Sequence, residues 1–247
     1  MDYQIIAVGN IELKVKKDFT SDLLIEKKDD VERIWQAEVD KNDKLFNGLF
    51  LNYHSIEKSE DAVEAFGHFV EYKNFIAQRL ESGLDLNIKP IGVSGLSVFE
   101  DAGEEYVLLA KRSKDVTQYP GCLELVPSGT IDGQFMKENG VVDYQAQLEN
   151  EFYEETGLPK GSVIDVKGFA LILDTQDSVY DVCCKVTFKA DSKNIIDGMK
   201  LSGEYNEPQC VALNDLSDFV RENKDGIIPC SRAVIEAYAQ SSCSNVY

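Results

Sequence analysis

This sequence is short of softer metal ligands, long apolar runs and positive charge. Histidine occurs only twice, as His54 and His68, and none of the six cysteines belongs to a C-x-x-C pair. A structural zinc site is therefore not expected, and the thiols are expected to be reduced and cytoplasmic. No stretch approaches the roughly 18 consecutive apolar residues of a membrane-spanning helix. The opening MDYQIIAVGN carries no basic segment ahead of an apolar core, so no secretory signal is expected. Lys and Arg together number 25 against 44 Asp and Glu, a formal net charge of -19. That balance argues against a nucleic-acid backbone or an anionic membrane as a standing partner. An anionic substrate remains compatible only if a divalent cation or local Lys/Arg groups reverse the field.

What the chain does hold is enough apolar residue for a core. Its 247 residues, 43% hydrophobic and 28% charged, fit a globular domain with a smaller companion region. The first part is expected over residues 1–88. There YQIIAV and IELKVK read as two strands joined through a hairpin turn at Gly9–Asn10. DDVERIWQAEVDK reads as a helix capped by Asp29 or Asp30, with Val31, Ile34, Trp35 and Val39 on one face. GLFLNYHSIE and AVEAFGHFVE read as strands. EYKNFIAQRLES reads as a helix with Phe75, Ile76 and Leu80 as its apolar stripe and Gly83 beyond its end.

The second part is expected over residues 89–247. KPIGVSGLSVFED and EEYVLLAKRS read as long strands around a turn at 101–103, and CLELVPSGTID as a third strand that breaks at Pro127. A helix follows over about 143–156, then strands in VIDVKGFALILD, VYDVCCKVTFKA and QCVALNDL, then helices near 216–222 and 231–240. Strands dominate, with one helix after the third and others at the end. This order predicts an α/β sandwich with a mixed sheet rather than a repeated βαβ unit.

Within that helix, ENEFYEETGL crowds Glu149, Glu151, Glu154 and Glu155 into two turns before Gly157. Helical spacing puts Glu151, Glu154 and Glu155 on one face, with Glu149 elsewhere and Leu148 and Phe152 on an apolar stripe. Acids at a helix C-terminus oppose the helix dipole, so a neutralising partner is expected. Hard oxygens on one face suit Mg²⁺ or Mn²⁺.

This segment resembles the Nudix hydrolases, whose motif reads G-x5-E-x7-R-E-U-x-E-E-x-G-U with U a bulky apolar residue. EFYEETGL fits its last eight positions, and LELVPSGTIDGQ is similar to the strand and glycine loop that open it. The resemblance spans about residues 90–240. It implies a Nudix-type α/β/α sandwich, and pyrophosphate chemistry with Mg²⁺ or Mn²⁺ held by Glu151, Glu154, Glu155 and the carbonyl of Gly129. Three positions depart from the motif. Asn150 stands where the motif has arginine. The motif's first glutamate has no clear counterpart, Gln134 and Glu138 being nearest. The loop between Gly129 and Glu151 is longer than in the motif.

The first part is similar to the UDP-glucose/UDP-galactose hydrolases of the same superfamily, through Trp35, Leu45, Phe46, Asn47, Tyr72, Lys73 and Phe75. That likeness implies a nucleoside diphosphate sugar as substrate, with Phe46, Asn47 and Tyr72 shaping a slot for the base. Arg112 is expected to grip a phosphate, with Lys111 on the opposite sheet face. The general base is expected to be Glu207, with Glu204 or a motif glutamate as alternatives. ADP-ribose or dinucleotide hydrolysis, or nucleotide sensing without turnover, are the competing functional readings.

Overall fold

The computed structural model describes residues 2–244 except 18, 20, 60, 61, 115, 117, 203 and 204. In chain order the elements begin with β1 (Tyr3–Val8), β2 (Ile11–Val15), α1 (Asp22–Glu26), α2 (Lys28–Val39), β3 (Leu49–Lys58), β4 (Val63–Glu71) and α3 (Tyr72–Leu80). The middle of the chain forms β5 (Ile91–Asp101), β6 (Glu104–Arg112), β7 (Leu123–Leu125), β8 (Ser128–Thr130) and α4 (Tyr144–Thr156). It closes with β9 (Val163–Asp174), β10 (Val179–Phe188), α5 (Ser192–Ser202), β11 (Tyr205–Ala212), α6 (Leu216–Glu222) and α7 (Pro229–Ser244).

The larger sheet runs β1-β9-β10-β5-β6-β11, with β7 paired to β6 and β8 paired to β5. Only β10 and β5 are parallel, so the sheet is mixed. Strand alternation divides its apolar residues between two faces. On one face, Val93, Leu108, Ala110, Val182 and Val186 pack with Leu148 and Phe152 of α4 and Ile195 and Met199 of α5. On the other, Leu96, Val98, Leu109 and Cys183 pack with Leu216 of α6 and Ala233, Val234 and Ala237 of α7. The result is an α/β/α sandwich with a mixed sheet.

A second sheet, β2-β4-β3, lies against the first face. Its Leu13, Leu51 and Ala65 enter the same core as α4. Its reverse face meets α2 and α3 through Phe50, Val70, Val31, Ile34 and Ala77.

The expected β1–β2 hairpin does not form. β1 pairs antiparallel with β9, whereas β2 pairs parallel with β4. The chain passes between the two sheets at Gly9 and Asn10: the Gly9 amide donates to the Phe169 carbonyl, and the Asn10 carbonyl accepts from Val63. The turn residues are those of a hairpin, but long-range pairing claims both strands. Two helix details also differ. Asp29 and Asp30 sit in the first turn of α2 rather than capping it. In α3 the buried residues are Asn74 and Ala77, and Leu80 is exposed, because the helix presents that narrower face to α2 and β4. Helix α5 was not anticipated; its central Gly198 and flanking polar residues mask its period.

Candidate active site

The third strand expected from sequence is split at Pro127 into β7 and β8, and this split opens the site. β7 pairs with β6 while β8 turns away to pair with Gly92–Ser94 of β5. Between them lies a cavity of about 310 Å³ lined by Arg112, Glu124, Ser128, Gly129, Glu155, Asp181 and Tyr205, among others. That volume falls within the usual range for small-molecule sites.

Helix α4 reaches this cavity with its C-terminal turn. Asp143 caps its start by accepting from the Ala146 amide, and Gly157, at φ +66°, ends it. Leu148 and Phe152 are fully buried, which fixes the rotation of the helix. The three acids then meet different surroundings. Glu155 is buried, lines the cavity and accepts a hydrogen bond from the Ser128 amide at 3.3 Å. Glu151 lies against Gly129: a Cβ on that glycine would stand 2.5 Å from Glu151 Oε1. A larger residue there would make that carboxylate move. Glu154 is exposed, and Asn150 Nδ2 donates to it at 2.9 Å. Asn150, standing where the motif has arginine, thus holds a motif glutamate by a neutral hydrogen bond one helical turn away.

Among the described residues, no three His, Cys, Asp or Glu side chains are gathered closely enough to hold a metal ion by themselves. The donor set nonetheless fits Mg²⁺, which commonly takes one or two carboxylates, waters and substrate phosphates rather than an all-protein cage. Glu151 and Glu155 both approach the Ser128–Gly129 segment of β8, and each offers hard oxygen.

Arg112 lines the cavity and is ion-paired with buried Glu124. Glu124 also accepts from Tyr205 Oη and Ser128 Oγ, both at 3.1 Å, and Arg112 Nε donates to the Gln118 carbonyl. Burial, reinforced by Glu124 and Glu155, holds the Tyr205 phenol well above its ordinary pKa, so it serves as a neutral donor. Lys111 lies on the other side of β6 and pairs with Glu207. Glu207, at φ +47° in an irregular stretch of β11, is largely exposed and is not part of the cavity wall. Glu204 lies outside the described residues.

Phe46 and Tyr72 line a separate pocket of about 390 Å³ with Phe50 and Phe75. It adjoins the cavity, sharing Pro90, Gln118, Thr130 and Val179 with it. Phe46 is 82% exposed at its rim. Asn47 is engaged elsewhere: its Oδ1 accepts from the Lys73 amide in the first turn of α3, and its Nδ2 donates to Glu71. The lengthened loop after Gly129 pairs with the N-terminal region, through Val142 N to the Leu13 carbonyl and Val15 N to the Gly140 carbonyl. Gln134 closes a turn on Asp132, and Glu138 offers its carbonyl to Lys17, so neither reaches the cavity wall.

Sequence reading missed one wall of the cavity. There Asp181 is buried on β10, with Ser94 Oγ donating to its Oδ1 at 3.0 Å and Cys230 Sγ donating to its Oδ2 at 3.4 Å. The available signal was one acid inside the apolar run VYDVCC. Burial pushes the Asp181 carboxyl up to about 7, against the lowering effect of its two hydrogen bonds. Between an ordinary carboxylate pKa and that value, the folded chain keeps a proton that the unfolded chain releases. Its presence therefore costs increasing stability as pH rises from about 4 to about 7. Denaturant unfolding of Asp181→Asn beside the parent should show a stability difference that grows in favour of the variant across this window. A difference independent of pH would refute the assignment.

No protein-family model matches the sequence, and no curated protein matches it. The fold is similar to a MutT protein from Methanosarcina mazei Go1, at 19% identity over 64% of this chain and 96% of that one, with TM-score 0.42. It is also similar to the Nudix domain of Shewanella oneidensis NrtR complexed with ADP ribose, at 15% identity over 66% and 94% of the two chains, TM-score 0.41. A Nudix hydrolase from M. smegmatis, RenU, matches at 13% identity over 62% and 86%, TM-score 0.38. A fold hosts many activities, so the assignment of chemistry rests on the site.

Proposed function

We propose that this protein is a Nudix-type, divalent-metal-dependent hydrolase that cleaves the pyrophosphate of a nucleoside diphosphate sugar. UDP-glucose or UDP-galactose would give UMP and sugar 1-phosphate. The observation that carries the reading is the approach of Glu151 and Glu155 to the Ser128–Gly129 segment at the wall of a polar cavity. Mg²⁺ or Mn²⁺ bound by Glu151, Glu155 and the Gly129 carbonyl, with Glu154 at its margin, would neutralise phosphate charge and acidify a water. In the reaction, a water oxygen bonds to one phosphorus, the bridging P–O bond breaks, and a proton is released.

Arg112 is held by Glu124 and the Gln118 carbonyl, and its remaining N–H groups, without a further partner among the described residues, would serve a phosphate oxygen. The placement of Glu207 on Lys111 favours a motif glutamate as the group that takes the water's proton. The aromatic pocket of Phe46, Phe50, Tyr72 and Phe75 supports a stacked base beside the phosphates. The region over residues 1–88 would then supply the base slot and that over 89–247 the chemistry.

A site that pairs the edge of uracil leaves its polar groups unpaired against adenine. UDP-glucose should therefore exceed ADP-ribose in kcat/KM by at least about tenfold, or ~1.4 kcal/mol. A panel of nucleotide sugars and dinucleotides with Mg²⁺ or Mn²⁺, scored by product identity, tests this. A preference for ADP-ribose would reject the uridine assignment and spare the hydrolase. Tight metal-independent nucleotide binding without turnover would make the protein a sensor, a reading favoured by the exposed, Asn150-bound position of Glu154.

A further inference from the structure

Asp181 poses a problem that the hydrolase reading leaves open. It is buried in the cavity wall, and among the described residues its side-chain hydrogen-bond partners are a hydroxyl and a thiol. The backbone is arranged to admit it: a Cβ on Gly92 would stand 2.6 Å from Asp181 Oδ1. The same position would lie 3.1 Å from the Gly129 carbonyl, so the carboxyl shares its corner with the β8 segment.

We propose that Asp181 and Ser94 form a glycosyl subsite, in which the carboxyl and the hydroxyl bind hydroxyl groups of the sugar carried by the diphosphate. This rests on the nucleotide-sugar reading and names the part of the substrate that this wall takes.

A further phosphate is disfavoured beside Asp181 itself: Glu124 and Asp174 lie near enough to push its carboxyl up, and Arg112, the sole Lys or Arg lining the cavity among the described residues, already faces Glu124. The neighbours also disfavour a metal. Ser94 is a weak ligand, burial keeps the Cys230 thiol protonated, and no group of three metal-ligating side chains exists among the described residues. A sugar hydroxyl both donates and accepts, so it can bond a carboxyl in either protonation state, which suits a group titrating at about 7.

Position agrees. The aromatic pocket meets the cavity at Pro90, Gln118, Thr130 and Val179, with Gly129 next to that shared rim. Asp181 lies two residues from Val179 on β10 and opposite Gly92, which pairs with Thr130, so a sugar joined to a diphosphate at Gly129 and Glu155 would reach it across β5. The adjoining wall is fixed: Tyr119 Oη donates to Asp174 Oδ2 at 3.1 Å, and Gln118 Nε2 to Asp177 at 3.0 Å.

The test compares ligands that differ only by the sugar. Binding of UDP-glucose against UDP, and of ADP-ribose against ADP, is measured by calorimetry with Ca²⁺ for the parent, Asp181→Val and Ser94→Ala. In the pair that the protein recognises, Asp181→Val should weaken the sugar-bearing ligand about tenfold or more and leave the plain diphosphate within about twofold. Ser94→Ala should act in the same direction, and decides the matter if the valine variant fails to fold. Equal losses for both members, or no contribution of the sugar in either pair, would overturn the subsite. Sugar-selective binding sensitive to these substitutions but without Mg²⁺-dependent hydrolysis would overturn the hydrolase and keep the subsite. Hydrolysis with unchanged sugar selectivity in both variants would do the reverse.

Discussion

Glu155→Gln is expected to lower Mg²⁺-dependent turnover by on the order of 10²-fold or more while the protein remains folded. The substitution keeps the side chain's volume in a site that is 2% exposed. It also keeps an oxygen able to accept from the Ser128 amide, the bond that places the group. What it removes is the negative charge that the cavity would offer to a cation and, through it, to the diphosphate. Glu154→Gln is expected to have an effect of similar order: its new amide oxygen can still accept from Asn150, so again only charge is lost. Unchanged turnover in both variants would take the acidic helix end out of the mechanism. In metal-free buffer the same variants should unfold at slightly higher temperature, because carboxylates in the last turn oppose the helix dipole and one another. Circular dichroism and initial rates on the same preparations separate the two effects.

Arg112→Ala is expected to destabilise the fold by about 3 kcal/mol or more. Glu124, 5% exposed, would lose its only cationic partner among the described contacts and keep just the hydroxyls of Tyr205 and Ser128. For a chain of this size that corresponds to a fall in Tm of about 6–12 °C. Adding Glu124→Gln should recover part of the loss, since the stranded charge is gone while its hydrogen bonds can be kept. A loss below about 1 kcal/mol in the single variant would mean that water already screens the pair, as at an exposed ion pair.

Much of the local structure was legible from residue order. The period-two runs of β5, β6, β9 and β10 and the caps of α4 are local facts, carried by alternation, by Asp143 and by Gly157. The spacing of Glu151, Glu154 and Glu155 pointed to one helical face. Their separate fates did not follow from it, since burial of Leu148 and Phe152 sets the helix rotation and leaves Glu154 exposed beside Asn150. Asn47 read as a base contact by its place in a motif, whereas its hydrogen bonds to Lys73 and Glu71 spend its polar atoms on α3.

The sequence by itself determined the strand-rich order and the acidic helix end, because alternation and helical spacing act within a few residues. Tertiary structure decided which strands pair, so that β1 joins β9 and β2 joins β4 across a turn that looks like a hairpin. It also decided the union of Arg112, Glu124 and Tyr205, and the placing of Asp181 beside Ser94 and Cys230. Those groups are remote in the chain. They meet only because β7 and β8 part to pair with different strands and open a polar cavity in the core.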